Sequence, residues 1–346
     1  MELLTRPSAF AILSVAVLTG CVPGFDVDET VIVDQQVIAV SATPPEAAPN
    51  DPVVYRALVV SPDGTITDAP LNWRYCQDIK PQAELGPVSA RCVQGDPEAT
   101  LPSSAAEPVS ASMPIDACRY YGPDSPPTST GEAGRPADPD VTGGYRQPVR
   151  VALGDSVSFY EHRISCGLAG ASQEQSADFR RRTRRNRNPD IDQMLIVRAD
   201  GTEEEVRNND LVTLAPGEEI ELVVRWPECP TEAVCGDGVC LPDENAEDCR
   251  DDCRLLRTCE GAETYVAFDP LEREVVTRRE SMRVAWLATQ PGLAQPRTGV
   301  AANDTATESR NRFVAPTTAG VVSLFVVLRD ERNGTTWQTL QLEVVP

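Results

Sequence analysis

The sequence is poor in several residue types on which common enzyme mechanisms depend. Its single histidine, His162, excludes every mechanism that needs two imidazoles and most catalytic zinc sites. Aromatic residues make up only 5% of the chain, so each tryptophan is expected to lie in a core. Lys80 is the only lysine, and we interpret the dominance of arginine as the codon bias of a GC-rich genome.

Positive charge and long hydrophobic runs are also scarce. The chain has 31 Lys and Arg residues against 53 Asp and Glu, a formal net charge of −22. The electrostatic field of so acidic a protein repels the phosphate backbone, so no nucleic-acid partner is expected. Beyond the first 21 residues the best apolar run is Val321–Leu328, which is long enough for a buried strand and too short to cross a membrane.

The strongest local signal lies in residues 1–21. The apolar stretch Ala9–Leu18 has the length of a signal-peptide core and is too short for a transmembrane helix. It ends in Leu18-Thr19-Gly20-Cys21, which resembles the lipobox of bacterial lipoproteins: a branched apolar residue, two small residues and a cysteine. The alternative is an ordinary signal peptide in which the cysteine occurs by chance.

The lipobox resemblance implies lipidation at Cys21. In that family the cysteine receives a diacylglycerol, and cleavage after residue 20 frees an amine for a further acyl chain such as palmitate. Two or more acyl chains give stable membrane attachment. Val22 follows the cysteine, where Asp retains lipoproteins of enteric bacteria at the inner membrane. The expected location is therefore the cell envelope, anchored in the outer membrane.

The other ten cysteines are expected to form disulfides, because export places them in an oxidising compartment. Four are widely spaced and six are clustered: Cys76, Cys92, Cys118 and Cys166, and then Cys229, Cys235, Cys240, Cys249, Cys253 and Cys259. Zinc is the alternative for the cluster, although it contains neither paired C-x-x-C motifs nor a histidine.

A disulfide between Cys229 and Cys259 is expected to close the base of the cluster. The predicted strands Glu219–Trp226 and Thr264–Phe268 flank it, and we expect both strands to belong to one sandwich. The four inner cysteines allow three pairings. Neighbouring cysteines would close very tight loops, so the favoured pairs are Cys235–Cys249 and Cys240–Cys253.

Strand patterns dominate the chain, and the 30 prolines and 22 glycines argue against a helical bundle. Besides the two strands that flank the cluster, the predicted strands are Val37–Ala42, Val53–Val60, Leu71–Cys76, Val149–Leu153, Ser156–Ile164, Ile191–Arg198, Leu211–Leu214, Ser281–Ala288, Gly320–Leu328 and Thr336–Val345. One helix is predicted over Ala171–Arg185, with Phe179 facing inward and Pro189 as its limit. The predicted class is mainly β, with Ig-like β-sandwich domains, a disulfide-rich insertion and a long Pro-rich irregular segment.

A faint internal repeat supports two related domains. Ala48–Val54 and Ala215–Glu221 are both a proline-led turn with an acidic residue, followed by an apolar strand, and we interpret each as the lead-in to strand B of an Ig-like domain. The predicted division is a signal peptide (1–20), a lipidated tether (21–30), a first Ig-like region (31–76), the Pro-rich segment (77–145), strands with a short Arg-rich helix (146–188) and a second Ig-like domain (189–346) with the insertion at 229–259. The end of the second domain also resembles the last strands of bacterial Ig-like and PKD-like domains.

Two further motifs suggest binding or catalysis. Gly154-Asp155-Ser156 with His162 resembles the nucleophile block of GDSL-type hydrolases, but a Gly-Asp hairpin turn explains the same residues. The run Arg180–Arg187 contains six arginines, which would suit phosphate groups or, as we favour, pair with the protein's own acidic residues.

The cluster Cys235–Cys253 resembles C-G-[DN]-G-x-C modules of secreted bacterial proteins. Such a module is a disulfide-stapled unit without a hydrophobic core. Its acidic loop could hold calcium, for which the candidates are Asp237, Asp243, Asn245 and Asp248. The alternative is a plain disulfide insertion whose acidic residues serve solubility.

As a whole the chain resembles a group of lipoproteins of GC-rich Gram-negative bacteria that combine a lipobox, Ig-like strands, a Pro-rich middle and a terminal Ig-like domain with a Cys-rich insertion. This resemblance implies no catalytic activity and no cofactor. The first hypothesis is a non-enzymatic structural or protein-interaction role, with the membrane, through Cys21, and an envelope or surface protein as partners. The alternatives are a calcium- or carbohydrate-dependent adhesive protein and an esterase at Ser156.

Overall fold

The computed structural model describes residues 28–66, 69–81, 88–95, 98–100, 108–123, 127, 131, 140–245, 247–254, 258–269 and 271–346. Within them the chain forms two β-sandwiches, a linking segment and an insertion. The predicted mainly β class with a disulfide-rich insertion is therefore confirmed.

The first sandwich contains eight strands and two short helices. In chain order they are β1 (Gln36–Thr43), β2 (Glu46–Ala47), β3 (Pro52–Val60), β4 (Asn72–Cys76), α1 (Ala90–Gln94), β5 (Glu98–Thr100), β6 (Val109–Ser112), α2 (Ala117–Tyr121), β7 (Tyr145–Leu153) and β8 (Ser156–Ile164). One sheet has the order β1-β3-β6 and the other β2-β8-β7-β4-β5. The helix α3 (Gln173–Arg182) lies in the segment that follows.

The second part of the chain contains eleven strands, nine in the two sheets of the second sandwich and two in a separate hairpin, together with the cysteine-rich insertion. Its elements are β9 (Gln193–Arg198), β10 (Glu203–Val206), β11 (Leu211–Leu214), β12 (Glu219–Arg225), α4 (Arg250–Cys253), β13 (Thr264–Asp269), β14 (Glu274–Arg279), β15 (Met282–Ala288), β16 (Arg297–Val300), β17 (Glu308–Val314), β18 (Gly320–Asp330) and β19 (Thr335–Val344). The sheets have the orders β10-β9-β12-β17 and β11-β19-β18-β15-β16, whereas β13 and β14 pair only with each other within the described residues.

The two sandwiches have the same topology. The sheet β1-β3-β6 corresponds to β9-β12-β17, and β2-β8-β7-β4-β5 corresponds to β11-β19-β18-β15-β16. In both, a short strand after the first strand crosses to the second sheet and pairs parallel with the last strand, while all other pairs are antiparallel. Two face-to-face sheets with this shared order are Ig-like β-sandwiches.

The turns that the sequence repeat singled out are equivalent in detail. In both turns a backbone N–H donates to the acidic side chain three residues later, and the two bonds are Ala48 N to Asp51 Oδ2 at 2.9 Å and Ala215 N to Glu218 Oε2 at 2.8 Å. The third position has a positive φ in each copy, 68° at Asn50 and 74° at Gly217. Asparagine and glycine are the residues that tolerate this conformation. Each turn leads into the second strand of its sandwich, as the repeat predicts.

Each core contains one tryptophan at an equivalent place. Trp73 on β4 and Trp286 on β15 are both fully buried, and each lies on the strand next to β7 or its counterpart β18. A buried tryptophan on this strand is typical of Ig-like domains. The expectation that tryptophans lie in the cores holds for these two residues and for Trp226.

Several predicted boundaries differ from the structure. The sequence separates 31–76 from 146–188, yet β7 and β8 complete the first sandwich, because their side chains fill the same core as those of β3 and β4. The Pro-rich segment 77–145 contributes α1, β5, β6 and α2 to that sandwich. The helix predicted over Ala171–Arg185 ends at Arg182, since Thr183 is extended. The expectation that Thr264–Phe268 shares a sandwich with β12 is wrong, because this segment forms the separate β13–β14 hairpin.

The chain before β1 is bound to the second sandwich. The Ala288 N–H donates to the Thr30 carbonyl at 2.8 Å, and the Ile32 N–H donates to the Ala288 carbonyl at 2.9 Å. The Ile32 side chain is buried with Phe325 and Val327 in a cluster between the sandwiches. Residues 30–32 are thus held against the end of β15, and this is where the tether meets the folded body.

The tether and the cysteine module, residues 229–259, lie at opposite ends of the second sandwich. β15 runs from Met282 to Ala288, where the tether is bound. Val314, at the end of β17, lies at this same end, since its N–H donates to the Gly292 carbonyl at 2.9 Å. β12 is antiparallel to β17, so Arg225, which precedes the module, lies at the other end. We call these the tether end and the module end; the eleven residues of β18 span about 36 Å between them.

Candidate functional site

A network of buried charged side chains joins the two sandwiches at their junction. At its centre is Arg332, which is 1% exposed and lies in the turn between β18 and β19. Its Nε donates to Glu280 Oε1 at 2.7 Å, its Nη2 donates to Glu263, and its guanidinium carbon lies 4.5 Å from the centre of the Tyr265 ring. Glu263 and Glu280 flank the β13–β14 hairpin, so this arginine fixes the hairpin against the second sandwich.

The network continues into the first sandwich. The Asn186 side chain donates to Asp330 at 3.2 Å, and the Asn186 backbone N–H donates to Glu46 Oε2 at 3.1 Å. Glu46 in turn lies 3.3 Å from Arg163 Nε. Because Glu46 and Arg163 belong to the first sandwich and Asp330 to the second, an unbroken series of polar contacts crosses the junction through the linking segment.

Burial raises the pKa values of the acidic groups in the network, and the neighbouring arginines lower them. Burial raises the pKa of Glu263 to about 7 and raises that of Glu280 well above its ordinary value, although Arg332 attracts the charged form of both. Burial also raises the pKa of Asp330. Burial alone would raise the pKa of Glu46, but Arg163 and Arg332 outweigh it and hold this pKa below its ordinary value.

The network has a structural role. Its six charged side chains are 1–7% exposed, and they are Glu46, Arg163, Glu263, Glu280, Asp330 and Arg332. Four carboxylates and two guanidinium groups at this depth require mutual contacts, because an unpaired buried charge is very costly. The contacts therefore hold the sandwiches in one relative orientation. None of the six residues was a candidate from the sequence, since charged residues at strand ends and in turns are usually solvated.

The arginine run largely pairs with acidic groups and carbonyls of the protein itself, as we favoured. Arg181 and Arg182 bind Asp178 on the same helix, and Arg182 also contacts Asp243 at 2.9 Å. Two more form ion pairs, Arg185 with Asp51 and Arg187 with Glu260. The buried Arg184 donates to carbonyls of the cysteine module, those of Cys240, Leu241 and Glu244.

All ten described cysteines are disulfide-bonded. The pairs in the first sandwich are Cys76–Cys92 and Cys118–Cys166, which tie α1 and α2 to the sheet. The pairs in the module are Cys229–Cys259, Cys235–Cys249 and Cys240–Cys253, which are the three that the sequence argument favours. The Cys229–Cys259 pair closes the module although β13 lies outside the sandwich, because the chain passes so close to the Pro227 carbonyl at Gly261 that a side chain there would collide with it.

Of the four calcium candidates, the structure brings only Asn245 and Asp248 into direct contact, and in the described residues the three aspartates do not form a group at metal-ligand spacing. Asp237 Oδ1 accepts the Val239 N–H at 2.9 Å, and Asp248 Oδ2 accepts the Asn245 amide at 2.6 Å. Asp243 pairs with Arg182. The calcium site expected from these residues is therefore not assembled, because their oxygens serve separate turns and an ion pair.

One group in the described residues has the spacing of metal ligands. The ligand atoms of Cys240, Glu244 and Cys253 lie within 4.8 Å of one another. The two sulfurs are bonded to each other, so neither is a thiolate, which is the form that binds metals. Disulfide chemistry explains this cluster, in agreement with the choice of disulfides over zinc.

Ser156 and His162 do not form the pair that a hydrolase would need. They lie six residues apart on β8, which corresponds to about 20 Å. His162 is buried, its Nδ1 lies 2.7 Å from Tyr55 Oη, and burial lowers its pKa to about 3. Ser156 follows the Gly154-Asp155 turn that joins β7 to β8, which is the alternative that explains the motif.

The proposed lipidation site, Leu18–Cys21, lies outside the described residues and remains a prediction. Within the part of the chain that the structure describes, no helix is both long and apolar enough to cross a membrane. The apolar run Val321–Leu328 forms part of β18, as expected.

Comparisons with known proteins give no family. No family model matches the chain, and no curated protein matches it. Among solved structures, the fibronectin(III)-like modules of CbhA from Clostridium thermocellum align over 88% of this chain and 94% of theirs, at 9% identity and a TM-score of 0.19. The C-terminal domain of the AgI/II polypeptide BspA from Streptococcus agalactiae aligns over 86% and 94%, at 9% identity and a TM-score of 0.21. Latent PorU from Porphyromonas gingivalis aligns over 90% of this chain and 24% of its own, at 9% identity and a TM-score of 0.20. Similarities at this level carry no argument about this chain.

Proposed function

We propose that the protein is a lipoprotein of the cell envelope, anchored through Cys21, with a structural or protein-interaction role that presents the module end away from the membrane. The lipobox-like Leu18–Cys21 motivates the anchor. The observation that carries the proposal is the binding of Thr30 and Ile32 to Ala288, which fixes where the tether leaves the folded body.

Chain length then limits the distance between the body and the bilayer. Nine residues separate Cys21 from Thr30, and a fully extended chain of that length reaches about 30 Å. The tether end must therefore stay within about 30 Å of the lipid head groups. The module lies about 36 Å farther along the second sandwich when the body stands upright.

The buried junction supports a role in presenting a surface. Arg332 binds the β13–β14 hairpin to the second sandwich, and Glu46 of the first sandwich binds the linking segment. These contacts fix the parts of the body relative to one another, so the tether end and the module keep a constant separation. A partner in the envelope would meet the module end first. An interaction role needs no catalytic group, which is consistent with the separation of Ser156 from His162 and with the burial of His162.

The adhesive alternative has less support. Calcium-dependent adhesion through the module needs carboxylates that converge on one cation. Asp237 and Asp248 already bind groups within the module, and Asp243 binds Arg182. We therefore favour a protein partner for the module end over a calcium-dependent or carbohydrate ligand.

Cys21→Ser tests the anchor. The variant should move from the membrane fraction to the soluble fraction, because it lacks the thiol that receives the lipid. Detergent fractionation of cells that express each form measures this. If both forms remain in the same membrane pool, the anchor at Cys21 is wrong.

The single lysine allows a test of orientation. In a Lys80→Arg background, Thr318→Lys places one side-chain amine at the tether end and Glu247→Lys places one in the module; both sites are exposed. The labelled proteins are reconstituted in vesicles that contain a head-group quencher. We expect stronger quenching at residue 318 than at residue 247. Equal quenching at both sites would contradict the orientation while leaving the anchor intact.

A further inference from the structure

One arginine of the run 180–187 is left without a partner. The Arg180 side chain makes no ion pair or hydrogen bond with any residue that the structure describes, whereas the side chains of the other five arginines of the run all do. Its isolation is notable in a chain with 53 acidic residues. Arg180 is exposed and lies at a cavity rather than on an open helix face.

The cavity has the size and composition of a small-molecule site. It lies between α3 and the ends of β7 and β8 and has a volume of about 510 Å³. Apolar walls are provided by Tyr145, Ile164, Leu168 and Phe179, together with the disulfide-bonded Cys166. Pockets of roughly 300–1,000 Å³ with mostly apolar walls and a few polar groups are typical of small-ligand sites. Phe179 therefore faces the protein, as predicted, but it borders a space rather than a filled core.

The charged groups around the cavity leave one positive charge unbalanced. Arg163 is paired with Glu46 at 3.3 Å, and Arg185 with Asp51 at 2.6 Å. Glu46 is already bonded to Ser165 and to the Asn186 backbone, so its carboxylate is directed into the network. Arg180 is the remaining cation, and a guanidinium group binds a planar carboxylate through two parallel hydrogen bonds.

We propose that this cavity binds a small amphiphilic carboxylate. The apolar body of the ligand packs against the part-exposed side chains of Leu168 and Phe179, and its carboxylate pairs with Arg180. One free cation matches a monoanion, and a neutral molecule of the same shape would leave Arg180 unpaired. The site is independent of the lipid anchor and of the partner at the module end.

The test uses 2-naphthoate as the probe and 2-naphthalenemethanol as the neutral molecule of the same shape. Calorimetric titration of the wild-type protein should show one saturable site for naphthoate and at least about tenfold weaker binding of the alcohol. Arg180→Ala should weaken naphthoate binding by a similar factor, and Arg180→Lys by less, because it keeps the charge but loses the bidentate geometry. Arg181→Ala is the matched control, since the neighbouring Arg181 is paired with Asp178, and it should bind as the wild type does.

A second variant tests the cavity itself. Ser176 lines the cavity from α3, so Ser176→Phe should fill it and abolish binding, while the near-ultraviolet circular dichroism stays that of a folded protein. The proposal is overturned if the wild type shows no saturable binding at millimolar naphthoate. It is also overturned if Arg180→Ala or Ser176→Phe binds as tightly as the wild type.

Discussion

Arg332 Nε donates a 2.7 Å hydrogen bond to Glu280 Oε1, and both side chains are 1% exposed. The bond connects the turn after β18 to the residue that follows β14, and so it joins the second sandwich to its inserted hairpin. Burying an ion pair costs desolvation energy that the attraction only partly returns. The pair therefore specifies one arrangement of the parts more than it adds net stability.

Removing this arginine should be severely destabilising. Arg332→Met leaves Glu263, Glu280 and Asp330 without their shared cation, and breaking a buried pair costs about 3–5 kcal/mol. Urea unfolding followed by tryptophan fluorescence measures the loss. Arg310→Met is the control, because Arg310 pairs with Glu221 and Glu308 on an exposed face, where such pairs contribute about 0–1 kcal/mol. If the two variants lose the same free energy of unfolding, the central role of Arg332 is contradicted.

The free energy of unfolding should fall as the pH rises from 5 to 8. Burial raises the pKa of Glu263 to about 7 in the folded protein, so the folded state keeps a proton that the unfolded chain has lost above its ordinary value of 4.5. Glu280 is shifted in the same direction. This stabilisation is complete below pH 4.5 and is lost as the pH passes 7. Glu263 and Glu280 lie on the same arginine, so the fall belongs to the two carboxyls together.

Glu46 should lower the free energy of unfolding at acidic pH. Its pKa is lowered in the folded protein, so its contribution is present above its ordinary value of 4.5 and is lost as the pH falls below it. Burial lowers the pKa of His162 to about 3, so its contribution is also lost as the pH falls below 6.5 and partly opposes that of Glu263 between pH 5 and 6.5. The fall in the free energy of unfolding toward pH 8 is therefore expected to be steepest above pH 6.5, and stability should decrease again below pH 4.5. Glu263→Gln should make the fall between pH 5 and 8 shallower without removing it, because Glu280 still contributes, whereas Glu203→Gln at an exposed site on β10 should leave the profile unchanged. A wild-type profile that rises steadily from pH 5 to 8 would refute these assignments.

Calcium should not stabilise the protein. The carboxylates of Asp237, Asp243 and Asp248 each bind a different group of the protein, and a calcium ion takes six to eight oxygen ligands at one point. Thermal melting in 2 mM calcium, compared with 2 mM chelator, should therefore give the same midpoint within about 1 °C. A calcium-dependent rise of several degrees that Asp243→Asn removes would restore the adhesive alternative.

Local chemistry made much of the fold predictable from sequence. The alternation in Leu71–Cys76 and Ser281–Ala288 places Trp73 and Trp286 on inward faces, and both lie in the cores. The Ala48 and Ala215 turns were recognisable because each combines a proline and an acidic residue just before an apolar strand. These features depend on neighbouring residues, which is why a single sequence reveals them.

The junction could not be predicted in the same way. Glu46, Arg163 and Arg332 are far apart in the chain, and the sequence around each is compatible with a solvated turn or strand end. Their burial follows from how the two sandwiches pack, and this depends on many weak contacts at once. The assignment of β13 to a sandwich failed for the same reason: a six-residue apolar strand does not specify its partner.

The cysteine module should be removable without loss of either sandwich. The core of the second sandwich includes Trp226 and Ala262 on either side of the module, and none of the residues described between them belongs to it. The Cys229–Cys259 disulfide already brings the ends of the excursion to a Cα distance of 5.6 Å. A short Gly-Ser linker in place of Pro230–Arg257 can therefore span the gap with that disulfide intact.

The expected cost of this deletion is modest. Arg184 loses the carbonyls of Cys240, Leu241 and Glu244 as acceptors but gains access to water, so we expect a loss of about 1–3 kcal/mol. The double variant Cys229→Ala with Cys259→Ala provides the comparison. It keeps the module but frees a loop of 30 residues, which costs about 3–4 kcal/mol on the chain-entropy model. Urea unfolding should rank the deletion as the more stable of the two. A deletion variant that lacks the near-ultraviolet signal of buried tryptophan would show instead that the module is required for the second sandwich to fold.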